Sequence, residues 1–79
     1  MNNDLKLRQL IANVFETTFN SINDDSSKDT LDNWDSVHHM NLIFAIEESF
    51  QVQFSDEEVI QLLSVKSIKI ILQGKGIYF

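Results

Sequence analysis

The chain predicts an all-α fold: a small four-helix bundle with a long loop between helices 1 and 2 and a short third helix. Three observations carry this. Apolar residues recur at helical spacing in two long stretches, Leu7 to Phe15 and Val37 to Phe50. Helix-start signals recur too, as Asn2 or Asn3, Ser36, Ser55 and Ser64 each precede an apolar pattern. Helix breakers are scarce: proline is absent, and the two glycines, Gly74 and Gly76, lie in the tail. With 79 residues, 1–79 reads as a single domain. It has no cysteine, so neither disulfides nor a thiolate metal site can brace it. Regular helix packing has to supply the core.

The first helix places Leu7, Leu10, Ile11, Val14, Phe15 and Thr18 on one side, with Phe19 adjoining. Asp4 suits its first turn. Asn20 to Asp32 reads as loop, rich in Asn, Asp and Ser, which bond their own backbone in competition with helix. Ile22 and Leu31 are its expected anchors. A calcium loop starting at Asp24 fails on two counts: Lys28 stands where a ligand belongs, and Asp29 where glycine is needed.

The second helix is expected from Ser36 to Gln51. Leu42, Ile43, Ile46 and Phe50 form one stripe, and Val37, Met40 and Phe44 a second. The second stripe could be core or a surface offered to a partner; periodicity does not separate the two. Glu47 and Glu48 fall near the exposed side. Val52 and Phe54 alternate with glutamines in a short extended link. Ser55 and Glu58 form a capping box for a short helix bearing Val59, Ile60, Leu62 and Leu63. Ser64 caps a last helix bearing Val65, Ile68, Ile71 and Leu72, with Gly74 as its stop. The apolar tail, Gly76 to Phe79, either docks on the bundle or frays.

Charge is uneven. Between Asp24 and Glu58 stand ten acids and one base, Lys28, within a net charge of −6. That disfavours nucleic acid and favours partners with basic patches. No apolar run approaches a membrane span, and a signal-peptide core is missing, so a cytoplasmic protein is expected.

Ser36 sits where the second helix begins. One reading makes it the N-cap. The other makes it the bearer of a phosphate ester at the positive end of the helix, with Asp35 holding Mg²⁺ while the ester forms. His38 and His39 point about 100° apart on a helix, so they cannot share one metal. Ser36 and His39 lie three apart, yet the glycine-flanked nucleophile elbow of a hydrolase is missing. A solvated or loop-packing role suits the histidines better.

Asp35-Ser36-Val37, followed by Leu42, Ala45-Ile46-Glu47-Glu48 and Phe50, resembles the acyl carrier protein family. Phe54 to Glu58 and Val65 through Ile68 to Leu72 continue the resemblance over nearly the whole chain. It implies a 4′-phosphopantetheine on Ser36 whose thiol holds an acyl group, so the sulfur comes with the cofactor. It implies a carrier and not an enzyme, with no catalytic residue and no permanent metal. Mg²⁺ is needed only during transfer of the arm. The implied partners are a phosphopantetheinyl transferase, acyl- or aminoacyl-activating enzymes and acyltransferases. By matching position, Val37, Asn41, Phe44, Glu47 and Glu48 would meet them, and the carrier is expected to be a monomer.

The chain departs from many fatty-acid carriers at Asn33 and Trp34, at the neutral Asn41, and at His38 and His39. In this it looks more like freestanding carriers of specialised pathways. The alternatives are therefore a peptidyl or aminoacyl carrier, or an unmodified acidic helical adaptor.

Overall fold

The computed structural model describes residues 2–31 and 33–79. Among these, four α-helices follow in order: α1, Asn3–Val14; α2, Ser36–Phe50; α3, Asp56–Gln61; and α4, Val65–Gly74. A single 3₁₀ turn, Phe19–Ser21, interrupts the long α1–α2 connection. The expected architecture is therefore observed. Asp32, the end of the expected loop, lies outside the described residues.

Each helix starts where a side chain meets its unpaired N–H groups. Asn2 caps α1 by accepting from the Asp4 N–H at 2.7 Å. Ser55 accepts from Glu58 N–H while Ser55 N–H donates to the Glu58 carboxylate, which completes the expected capping box. Ser64 and Ser67 repeat this exchange at the start of α4. At α2 the expectation fails in detail: Asp35 is the cap, accepting from His38 N–H at 2.8 Å, and Ser36 is the first helical residue. Both residue types cap well, so their order alone could not decide.

The long helices stop in one common way. Glu16, Gln51 and Gly76 take left-handed conformations, with φ of 55°, 56° and 92°. The next N–H then reaches back five residues, from Thr17 to Ala12, Val52 to Glu47 and Ile77 to Leu72. So α1 ends at Val14, and Thr18 and Phe19 fall outside it, against expectation. Gly76 rather than Gly74 supplies the turn after α4. In α3, Leu62 and Leu63 lie beyond the last helical residue.

Leu7, Ile11 and Phe15 of the α1 end meet Leu42, Ile43, Ile46 and Phe50 of α2 and Val65, Ile68 and Leu72 of α4 in one buried core. Phe50 and Ile46 thus face inward, as their stripe predicts. Ile22 is buried, and Leu31 packs against the core half-buried, so both expected anchors hold the loop. The loop is also tied at its middle. Lys28 N–H donates to Leu63 O and Val65 N–H to Ser26 O, both at 2.9 Å. The tail docks: Ile77 packs on the core, and Asn3 Nδ2 donates to Tyr78 O at 2.9 Å.

One ion-pair group ties α1, the loop and α4. Arg8 and Lys69 both reach Asp4 and Asp24. Asp24, the first position of the rejected calcium loop, is thereby neutralised by cations of the chain itself. The hydrogen bond from Lys69 holds its carboxyl below the usual range. For Lys69, burial works against the charge, but the bonds to Asp24 and Asp4 prevail and its pKa is raised.

Candidate functional site

Ser36 stands exposed in the first turn of α2. The turn is fixed by Asp35, whose Oδ1 lies 2.8 Å from both the backbone N and the ring Nδ1 of His38. The backbone bond first, then the ring, hold the Asp35 carboxyl below its usual range. Behind this turn Trp34 is buried and packs on Phe15, with ring centroids 4.9 Å apart.

His39 reaches across the other way. Trp34 Nε1 donates to His39 Nδ1 at 2.9 Å. The remaining ring nitrogen, Nε2, then donates to Val59 O of α3 at 2.9 Å. Both nitrogens are spent on structure, so His39 cannot serve as a base for Ser36. Of the solvated and loop-packing roles that the missing nucleophile elbow favoured over a hydrolase pair, His39 takes the packing one.

Beside Ser36 and Asp35 lies a cavity of about 380 Å³ between α2, α3 and the loop. Lys28, Trp34 and His39 line one part of it, and Val59, Ile60 and Leu63 another. Sequence reasoning placed Ser36 and Asp35 but missed the cavity. The one signal available was the lone tryptophan beside the motif, a side chain that is highly buried on average.

The second stripe of α2 is surface. Val37 and Phe44 are 67% and 60% exposed, Met40 is also exposed, and Ile60 of α3 is 70% exposed. Asn41 and Glu48 are exposed on the same helix. Glu47 differs. It is half-buried, and its Oε2 accepts from Phe54 N–H at 3.0 Å, so it fastens the α2–α3 link to the end of α2. Among the described residues, no group of three or more acids and histidines could hold a metal ion. No described helix is long and apolar enough to cross a membrane.

No protein-family profile matches the chain, and no curated protein matches it by sequence. A solved structure matches it in fold. The solution structure of a holo acyl carrier protein from Geobacter metallireducens superposes with a TM-score of 0.71. It is 24% identical, and the match covers 94% of this chain and 92% of the other. At that identity the likeness establishes the fold. Four helices, the long first connection and the short third helix are therefore the acyl carrier protein fold.

Proposed function

We propose that this chain is a carrier that holds an acyl group as a thioester on a 4′-phosphopantetheine arm attached to Ser36. One observation carries the reading. In an acyl carrier protein fold, the serine of Asp-Ser is exposed in the first turn of α2, beside a cavity, and is not consumed as the helix cap.

The residues fit the arm. Asp35 relieves Ser36 of capping, so the Ser36 hydroxyl is available for esterification. The helix start supplies the positive end of a dipole to the phosphodiester. When bound, the arm supplies the thiol that the chain lacks. Asp35 is the carboxylate that would hold Mg²⁺ during transfer. Val37, Met40, Phe44 and Ile60 form the apolar part of the surface toward partner enzymes, flanked by Asn41, Glu47 and Glu48. Those partners are a phosphopantetheinyl transferase and the enzymes that load and unload the acyl group. An acidic face of this kind suits basic partner patches, and the carrier is proposed to work in the cytoplasm.

The test is incubation of the purified chain with coenzyme A, Mg²⁺ and a phosphopantetheinyl transferase, read by intact mass. One adduct is expected. An unmodified chain, under conditions that load a control carrier, would leave the acidic adaptor as the better reading.

A further inference from the structure

Among the described residues, Lys28 is the one cation lining the cavity beside Ser36, and its backbone is held there by structure. Its backbone N–H is tied to Leu63 O at 2.9 Å, and Leu63 is itself a wall residue. Arg8, Lys69 and Lys75 each end on carboxylates, whereas Lys28 makes no ion pair among the described residues. It is also the single base in the acidic stretch from Asp24 to Glu58.

Hydrogen-bonding capacity points the same way. The other side-chain donors on the cavity are spent: Trp34 Nε1 on His39, and His39 Nε2 on Val59 O. The Ser36 hydroxyl is consumed once an ester forms on it. Among the described residues, Lys28 alone brings unspent side-chain donors to the cavity, three of them on a charged group. An anion entering here therefore has Lys28 as its side-chain partner. If Ser36 carries the arm, the group next to its oxygen is a phosphodiester, while the cargo sits at the far end. The anion near Lys28 is then the phosphodiester.

We propose that Lys28 receives the phosphodiester of the arm on Ser36 and so lays the first part of the arm into this cavity, against Trp34, Ile60 and Leu63. This rests on the carrier reading. It gives the loop a function, since the Ser26–Val65 and Lys28–Leu63 backbone bonds hold the main chain from which the lysine extends beside the cavity. It also offsets the charge that the ester adds beside Asp35.

The experiment compares unmodified and modified protein by two-dimensional amide NMR, after intact mass has shown one adduct. Wild type, Lys28→Ala and Lys28→Arg are compared. Because Lys28 is exposed and its structural bond is from the backbone, both variants retain the fold. In wild type, modification is expected to shift the amides of Lys28, Ile60 and Leu63 and the Trp34 indole N–H. In Lys28→Ala the shifts at Ile60, Leu63 and Trp34 are lost, while those at Ser36 and Val37 remain. Lys28→Arg restores them. An adduct whose shifts stay within residues 35–38 in wild type would overturn the proposal. So would identical shifts at Ile60 and Leu63 in Lys28→Ala. Absence of any adduct is a different result, which overturns the carrier reading and this inference with it.

Discussion

Trp34 Nε1 donates to His39 Nδ1 at 2.9 Å, and that one bond fixes the histidine's tautomer. With Nδ1 accepting, Nε2 carries the proton and donates to Val59 O. The segment before α2 is thereby linked through α2 to α3. Because α3 is only 6 residues long, it depends on such ties more than on its own cooperativity.

His39→Ala should therefore loosen α3 against the motif. It leaves a buried indole N–H and a carbonyl without their partner, at a cost of about 1–3 kcal/mol. A lowered thermal midpoint and altered emission from the single tryptophan are the expected readouts. An unchanged midpoint and spectrum would show that the bridge contributes nothing in solution.

Phe50 and Phe44 make a matched pair on α2. Phe50 is buried in the core, and Phe44 is exposed. Phe50→Ala should cost about 3–5 kcal/mol, a large part of the stability of so small a domain. Phe44→Ala should stay within about 0.5 kcal/mol. Urea unfolding of both variants checks the assignment, which fails if their order is reversed.

Glu48 is the clean test of the proposed acidic partner surface. Glu47→Lys would also break the Phe54 N–H bond, so slower loading could come from a displaced link. Glu48→Lys avoids this. It should slow loading by the transferase at low salt, with the difference from wild type shrinking as salt screens the pair. Phe44→Ala should remain slow at every salt concentration. Initial rates across salt decide. Equal rates for Glu48→Lys and wild type throughout would make Glu48 a solvated charge only.

Acid should weaken the ties around Asp24 and Glu58. The Ser55 backbone N–H, then Lys75, lower the Glu58 pKa, and Asp24 is lowered chiefly by Lys69. The unfolded chain then binds more protons, so this part of the stability is present above the ordinary values of 4.5 for Glu58 and 3.8 for Asp24 and is lost as pH falls through the lower folded values. Lys69 has the opposite sign. Its raised pKa contributes stability that is lost only as pH rises beyond its ordinary 10.5. Lys69→Ala should accordingly narrow its stability gap to wild type between neutral pH and pH ~3. A constant gap would show that the cluster contributes no pH dependence.

Much of this is legible in the sequence alone. The Ser55–Glu58 box and the Ser64 cap have fixed spacings, and the Leu42, Ile43, Ile46 and Phe50 stripe has a fixed period. What escaped depends on contacts between distant segments. Nothing in the local sequence says that α1 stops at Val14, where Asn33 Nδ2, from across the loop, donates to Phe15 O. The same holds for Glu47, whose carboxylate is read as a surface charge until Phe54 N–H is seen to meet it. At the site, Asp-Ser was legible as a motif, but the cavity was not. It is assembled from a loop residue, two helices and a backbone bridge that no periodicity encodes.

On the proposed function, Ser36 and no other hydroxyl bears the arm. The most direct measurement is loading of wild type and Ser36→Ala with coenzyme A and a phosphopantetheinyl transferase, followed by fragment mass mapping of the product. Because Asp35 provides the cap, Ser36→Ala should fold like wild type, as judged by its circular dichroism. One adduct per chain is expected, mapped to Ser36, and none on Ser36→Ala. A folded Ser36→Ala protein that still accepts the arm, or an adduct on another serine such as Ser55 or Ser64, would contradict it.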